Sequence, residues 1–346
     1  MEQLVITKPD DWHLHLRDDA AMASVVAQSA QFFKRAMVMP NLSLPVTTLS
    51  MAQEYRDRIL RNLPASAPFE PWMTLYLTGA TTPETIKEAS ECGFVLAVKL
   101  YPAGVTTNAS LGVSDLHQVE RVLETMQQLG MPLSVHGEVP DEAVDIFDRE
   151  RVFVEREMSM LTKRYPELKI VFEHISTKEA VAFVEEAPAT VAATITPHHL
   201  YWNRNQMLSG GINPHAFCFP ILKNESDRLA VLKAALSGNP KFFLGTDSAP
   251  HNKIDKENGR GKGGIFNTPV ALSVYTQCFE QADGLDRLEA FTSLNGADFY
   301  GLPHNRETIT LKKKHWEVPR LYPFGDGWVV PMLAGQTLDW SVEDES

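Results

Sequence analysis

Two histidines one residue apart, His13 and His15, are the first side chains in the sequence whose spacing indicates metal binding. In a β-strand, residues i and i+2 point to the same side, so both imidazoles can reach one ion. An isolated pair of this kind is a weak signal, because two polar residues can fall together by chance. This pair follows an apolar run at Leu4–Ile6, and three further candidate ligands end similar runs.

The three further candidates are His136, His174 and Asp247, which end the runs Leu133–His136, Ile170–His174 and Phe242–Asp247. A lone histidine near a core usually bonds to the backbone, and an aspartate just past a strand is often a helix cap. Four imidazoles and a carboxylate at strand ends are, however, a donor set that suits zinc best. We therefore expect two histidine pairs to bind two metal ions.

Lys99 lies inside the apolar run Phe94–Leu100, where a cation is costly to bury. Its amine could reach solvent at the end of the strand or pair with a buried acid. Alternatively, desolvation near metal ions lowers its pKa, and the neutral amine can react with carbon dioxide to form a carbamate. The two carbamate oxygens could bridge two cations about 3.5–4 Å apart.

Asp247 is also the candidate for moving protons. In this interpretation, a hydroxide that bridges the two metals attacks a polarised carbonyl, and Asp247 passes its proton to the departing nitrogen. Arg17, Asn41 and His251 follow the predicted strands one, two and eight. Each could be structural, but an arginine fork matches a carboxylate, so we expect this group to hold an anionic substrate.

The segments that must position these residues alternate between short apolar runs and helical stretches. The runs are Leu4–Ile6 leading to His13, Ala36–Met39, Trp72–Thr78, Phe94–Leu100, Leu133–His136, Ile170–His174, Val191–Thr196 and Phe242–Asp247. Helical spacing or capping occurs at Met22–Phe33, Ser50–Asn62, Pro83–Ser90, from Ser114 to Gly130, and at Asp141–Tyr165, Lys178–Glu185 and Asp227–Ser237. This alternation predicts a parallel sheet covered by helices.

Eight such strands in 346 residues favour a closed (β/α)8 TIM barrel, whose active site lies at the carboxyl ends of the strands. The alternative is an open doubly wound sheet, which would normally carry a glycine-rich fingerprint after its first strand, and none is there. We predict a single barrel domain over residues 1–346. Within it, residues 303–346 are expected to form a C-terminal extension packed on the barrel as helix and loop.

The composition is 44% hydrophobic and 22% charged, with a formal net charge of −12. Such a surface repels phosphate backbones, which argues against a nucleic-acid partner. Three scattered cysteines favour a reducing compartment, and no signal peptide is visible. No apolar run approaches the ~18–20 residues that cross a bilayer. These features predict a soluble, cytoplasmic protein without a membrane partner.

Seven ordered stretches resemble the short, bacterial-type dihydroorotases of the amidohydrolase superfamily: DDWHLHLRD, MVMPNL, AVKLYPAGVTTNAS, LSVHGE, FEHIST, ATITPHHL and FLGTDSAPH. The resemblance covers nearly the whole chain. It implies a zinc-dependent, reversible cyclisation of N-carbamoyl-L-aspartate to (S)-dihydroorotate in de novo pyrimidine (UMP) biosynthesis, by a homodimer. It also implies that His13, His15 and Asp247 bind one Zn²⁺, that His136 and His174 bind the other, and that carboxylated Lys99 bridges them.

The resemblance also implies which residues contact the substrate. The implied contacts are His15, Arg17, Asn41, Thr106, Thr107, His136, Phe219, His251 and Gly263. Thr106 and Thr107 belong to the mobile loop Gly104–Ser110, which would close over the substrate. Relatives often have Ala at position 263 and Leu at position 219, and contacts made by the main chain would tolerate both changes.

Two other functions remain open from the sequence. A sister amidohydrolase that acts on hydantoins or allantoin would use the same metals with different substrate groups. A metal-binding barrel without catalysis would bind zinc and hydrolyse no cyclic amide. The glycine-rich stretch GRGKGG is not a phosphate loop, because its lysine is followed by glycine rather than Ser or Thr.

Overall fold

The structure is a computed structural model that describes residues 2–63 and 67–343, and a parallel sheet forms its centre. The strands are β1 (Gln3–Thr7), β2 (Asp10–Leu14), β3 (Arg35–Val38), β4 (Glu70–Tyr76), β5 (Val95–Leu100), β6 (Leu133–Val135), β7 (Ile170–Phe172), β8 (Val191–Ile195), β9 (Phe242–Leu244), β10 (Thr308–Glu317), β11 (Tyr322–Phe324), β12 (Gly327–Val329) and β13 (Thr337–Val342). Strands β2 to β9 lie side by side in chain order, and each neighbouring pair is parallel. The predicted (β/α)8 barrel is confirmed.

Main-chain hydrogen bonds join β2 to the segment that follows β9 and so close the barrel. The amide of Asp247 donates to the carbonyl of His13 at 2.9 Å, and the amide of His15 donates to the carbonyl of Ser248 at 3.1 Å. The buried carboxylate of Asp11 accepts from the amide and the hydroxyl of Thr246 at 2.8 and 2.5 Å. This closure brings the ends of the first and last barrel strands together.

Helices cover the outside of the sheet. They are α1 (Asp19–Phe32), α2 (Leu49–Arg61), α3 (Pro83–Glu91), α4 (Glu120–Leu129), α5 (Arg149–Phe153), α6 (Ser159–Arg164), α7 (Lys178–Glu186), α8 (Pro197–Tyr201), α9 (Asn205–Leu208), α10 (Glu225–Ala235), α11 (Lys253–Lys256), α12 (Ala271–Gln281) and α13 (Asn295–Tyr300). Thr48, Thr82 and Thr177 cap α2, α3 and α7, each accepting from the amide three residues further on. No helix in the described ranges is both long and apolar enough to span a membrane.

The helix predicted at Asp141–Tyr165 is shorter in the structure. It begins at Arg149 and runs through a π-helical turn, Val154–Met158, to Arg164. Before it, Asp141 and Asp145 accept hydrogen bonds from the amides two residues on, at 3.0 and 2.8 Å. Such local side-chain bonds compete with helix formation, which explains the late start.

The first apolar run, Leu4–Ile6, was predicted to lead into the first barrel strand, and this is wrong. It lies in β1, which pairs antiparallel with β10 in a separate three-stranded sheet with β13. The first barrel strand is β2, which begins with two aspartates. Asp10 is buried there because Arg35 on β3 donates to it at 2.9 Å.

The C-terminal extension was expected to form helix and loop, but its described residues, 303–343, form four strands joined by loops and contain no helix. In β10, Ile309 and Leu311 are buried, and in β13, Leu338 and Trp340 are buried. This two-residue spacing is typical of a strand with one covered face. Because three consecutive lysines lie at the centre of β10, this apolar alternation was not recognised in the sequence.

Candidate active site

A cavity lies where the carboxyl ends of the barrel strands meet. It is lined by His13, His15, Arg17, Asn41, Tyr101, Thr106, Thr107, His136, His174, Phe219, Asp247, Ala249, Gly263 and Gly264. Of the residues predicted from the sequence, only Lys99 and His251 are absent from this lining. Lys99 is fully buried, and His251 contacts two lining residues, Arg17 and Gly263.

The side chains of His13, His15 and Asp247 converge on one point. The two Nε2 atoms lie 3.2 Å apart, and Oδ1 of Asp247 lies 3.3 and 3.1 Å from them. Burial lowers the pKa of His15 to about 3 and also lowers that of His13, which favours the neutral, metal-binding form of the rings. One proton cannot satisfy all three contacts, whereas a metal ion can, so this donor set fits a metal.

A second group of potential ligands lies beside the first. The ring centroid of His174 is 5.0 Å from that of His13 and 4.8 Å from that of His136. Nδ1 of His174 is buried and has no hydrogen-bond partner among the described residues. Nε2 of His136 lies 2.8 Å from a carboxylate oxygen of Glu138. An imidazole with an unpartnered ring nitrogen is available to bind a second metal ion.

Lys99 lies between these groups and forms an ion pair with Glu173. Burial holds the pKa of its amine well below the ordinary value. A second contact of Glu173 reaches Nδ1 of His13 at 3.2 Å. Burial favours the neutral amine, which is the reactive form of a lysine, whereas the ion pair with Glu173 favours the charged form.

The carboxyl group of Asp247 is ionised although it is buried. Burial alone would raise its pKa, but His13 and His15 hold it well below the usual range. Asp247, His174 and Arg17 also share an unusual backbone, with φ of 45°, 43° and 62°. This left-handed conformation is costly for residues other than glycine and is often found at functional sites.

Arg17 and His251 form a cationic corner of the cavity. Nη2 of Arg17 lies 3.0 Å from Nε2 of His251, and its Nε donates to the carbonyl of Pro250 at 2.8 Å. Burial lowers the pKa of Arg17 to about 10, which leaves the guanidinium charged at neutral pH. In the part of the chain that the structure describes, no carboxylate forms an ion pair with this guanidinium.

The predicted loop Gly104–Ser110 lies beside the cavity and is hydrogen-bonded to Asn41. Nδ2 of Asn41 donates to the carbonyl of Thr107 at 3.2 Å, and Nδ2 of Asn108 donates to the carbonyl of Asn41 at 2.9 Å. Thr106 and Thr107 both line the cavity. Asn41 therefore contacts the loop as well as the cavity.

Besides Ala249 and Gly264 of the lining, three polar residues of the site were not identified from the sequence: Tyr101, Glu138 and Glu173. Tyr101 follows Lys99 by two residues, and Glu138 follows His136 by two. This spacing puts side chains on the same side of a strand, so it could have revealed both. Glu173 directly precedes His174, and no spacing rule would have selected it.

Fold and site together define a barrel enzyme with a metal centre at the carboxyl ends of its strands. The amidohydrolase family matches residues 6–316. The dihydroorotase of Coxiella burnetii (strain RSA 331 / Henzerling II) is 53% identical over 343 residues, with 99% of each chain covered.

Two solved structures are also similar to the chain. The dihydroorotase of Saccharomyces cerevisiae in complex with 5-fluoroorotic acid has a TM-score of 0.92 and 32% identity, with 99% of each chain covered. The dihydroorotase of Campylobacter jejuni has a TM-score of 0.91 and 36% identity, covering 99% of this chain and 98% of that one. The chain therefore belongs to the amidohydrolase family and, within it, to the dihydroorotases. It is a hydrolase that acts on cyclic amides in pyrimidine biosynthesis, as the ordered motifs predicted.

Proposed function

We propose that the chain catalyses the reversible ring closure of N-carbamoyl-L-aspartate to (S)-dihydroorotate with Asp247 as the general acid/base. The guanidinium of Arg17 is the observation that carries this proposal. It is charged, lines the cavity and has no carboxylate partner among the described residues. A substrate with a free carboxylate would supply that partner, whereas hydantoin and allantoin have no carboxylate to offer.

Two Zn²⁺ ions per subunit fit the donor atoms. His13, His15 and Asp247 would hold one ion, His136 and His174 the other, and carboxylated Lys99 would bridge them. Carboxylation joins Nζ to the carbon of carbon dioxide and releases one proton, and the lowered pKa of Lys99 supports it. The metal ions would polarise the amide carbonyl and lower the pKa of water.

The chain's own residues would orient the substrate and move the proton. The carboxylate of Asp247, which is ionised in this environment, would accept a proton during hydrolysis and deliver it to the ring nitrogen. Ring closure would use the same steps in reverse. Arg17, Asn41 and His251 would hold the substrate carboxylate, and Thr106 and Thr107 would exclude water.

The remaining substrate contacts would surround the pyrimidine ring. The main chain at Phe219 and Gly263 would touch the ring, and His15 and His136 would lie beside it. We also propose that residues 1–346 form one domain, with 303–346 as an extension packed on the barrel. We expect this domain to act as a homodimer in the cytoplasm.

A comparison of three ring substrates tests the proposed reaction. With zinc supplied, kcat/KM is expected to be roughly 10- to 100-fold higher for dihydroorotate than for hydantoin or allantoin, because a charged pair with arginine is worth about 1.5–3 kcal/mol. Preferential turnover of hydantoin would contradict the proposal. Bound zinc without turnover of any ring would indicate the non-catalytic barrel instead.

The variant Lys99→Ala tests the bridging carbamate. It is expected to lose most of the bound zinc and to lower kcat at least ~100-fold, because two adjacent cations would lack their shared anion. Zinc is measured by atomic absorption, and short carboxylic acids are added to restore activity. Lys87→Ala, on the exposed side of α3, is the matched control. Full zinc content and an unchanged rate in Lys99→Ala would contradict the bridge.

A further inference from the structure

Lys256, the last residue of α11, is a buried cation that does not line the cavity. It is only 3% exposed. Its Nζ donates to the carbonyl of Lys262 at 2.9 Å, to that of Phe217 at 3.1 Å and to that of Gly264. Among residues 2–63 and 67–343, no carboxylate forms an ion pair with it. An ammonium has three N–H donors, and each one here has a backbone carbonyl as its acceptor.

These three bonds fix the direction of a short segment, residues 262–264. The carbonyls of Lys262 and Gly264 point to Lys256, and that of Gly263, between them, lies 3.1 Å from Nε2 of His251. The amide of Gly264 also donates to the carbonyl of Phe217 at 2.9 Å. The segment is therefore joined to Phe217, a loop residue, both directly and through the ammonium.

The backbone at Gly264 leaves little freedom for another arrangement. Its φ is +145°, and a Cβ at this position would lie 2.6 Å from the carbonyl oxygen of Ala249. The segment consequently fits closely against the residues that follow β9. A change in its direction would move the carbonyl of Gly263 away from His251.

The segment 262–264 borders the part of the cavity where several of the proposed substrate contacts lie. Gly263 and Phe219 line it, and His251 contacts Arg17 at 3.0 Å. We propose that Lys256 is a positioning residue whose ammonium holds the segment 262–264 so that Gly263 and His251 face the substrate. This inference rests on the proposed function, because that function makes these residues substrate contacts.

The chemistry of the ammonium explains why a lysine is needed. A methionine would fill nearly the same volume but would leave the carbonyls of Lys262 and Gly264 without donors, at about 1–3 kcal/mol for each unsatisfied group. The carbonyl of Phe217 would keep only the amide of Gly264. A neutral amine would supply only two N–H groups. Burial lowers the pKa of Lys256 to about 8, so the group is still mainly protonated at pH 7.

Lys256→Met tests the proposal in the zinc-loaded enzyme. We expect KM for dihydroorotate to rise roughly 10-fold, equivalent to about 1.4 kcal/mol, while kcat changes less than about threefold and zinc content is unchanged. Lys256→Arg retains the charge and several donors and is expected to bring KM back to within about threefold of wild type. Lys253→Met is the matched control, because its side chain on α11 pairs with Glu257 at the surface.

Hydrogen exchange provides a readout that does not depend on the substrate. In Lys256→Met, the peptide that spans residues 261–266 is expected to exchange faster than in wild type and in Lys253→Met. If the methionine variant does not fold, Lys256→Gln, which has two N–H donors, is used in its place. If the wild-type enzyme fails to turn over dihydroorotate, the proposed function is refuted. The rate of hydrogen exchange in residues 261–266 still tests the positioning role of Lys256.

Two results would overturn the inference. One is a KM within twofold of wild type together with unchanged exchange in residues 261–266. The other is a fall in kcat that follows a loss of zinc at constant KM, since Lys256 would then act on the metal centre.

Discussion

The two ends of the barrel interior have opposite chemistry, although the same strands build both. The floor is an apolar cluster in which Trp12 stacks on Tyr300 at 4.7 Å and Phe243 packs against both rings. The rim holds four imidazoles, a lysine and carboxylates. The boundary between them is abrupt, because Trp12 belongs to the floor and His13, the next residue, belongs to the rim.

A shift in strand register makes this abrupt boundary possible. Neighbouring residues of a regular strand point to opposite sides, yet Trp12 and His13 both contact the barrel interior. The pairing of β2 with β3 shifts between Asp11 and Leu14, as in a β-bulge, which redirects side chains. The bulge lets one strand contribute to both regions.

The two regions differ in what they contribute to the molecule. The floor is closely packed and has no spare volume at Gly296, where a Cβ would lie 2.0 Å from Nε1 of Trp12. The rim contains buried titratable groups and three residues with left-handed backbone, which cost stability. We therefore expect substitutions in the floor to change stability and those in the rim to change activity.

Asp247→Asn is the rim substitution with the largest expected effect. The amide retains the size of the side chain but cannot accept a proton, so kcat for dihydroorotate is expected to fall about 10³-fold. The melting temperature is expected to stay close to that of wild type. Steady-state kinetics and thermal unfolding measure the two quantities, with the exposed Asp286→Asn as the control. A kcat near that of wild type would remove Asp247 from the acid/base role.

Gly296→Ala is the corresponding change in the floor. The added methyl group must displace the Trp12 ring, so the free energy of unfolding is expected to fall by about 1–3 kcal/mol. For the folded protein, kcat should remain within about twofold of wild type. Urea unfolding measures the loss, and Gly259→Ala, which has open space around it, is the control. A large loss of kcat at unchanged stability would show that the two regions are not separable.

The contrast also explains what the sequence could predict. Parallel strands align their carboxyl ends, so residues that end apolar runs, such as His136 and His174, could be placed in one site from order alone. The floor and the first strand were harder. Asp10 and Asp11 look like surface residues until Arg35 and Thr246, which are distant in sequence, are known to pair with them.

Lys256 and Glu173 show the same limit within the site. Lys256 lies in the polar stretch NKIDKEN and would be taken for a surface residue. Its burial depends on the carbonyl of Phe217, 39 residues earlier in the chain. Glu173 is explained only by its contacts with Lys99 and His13. Polar residues that are buried by long-range partners have no local signature, unlike apolar runs.

The smallest predicted effect concerns whether the rim is packed as closely as the floor. A Cβ at Gly263 would lie 2.6 Å from the ring of Phe219, so Gly263→Ala is expected to displace the ring and raise KM several-fold. Phe219→Leu removes the obstacle, and the double variant is expected to recover most of the loss, with a coupling of about 1 kcal/mol. KM values for the four proteins measure this coupling. Additive effects would mean that there is free volume between Gly263 and Phe219. The two ends of the barrel would then differ in packing as well as in charge.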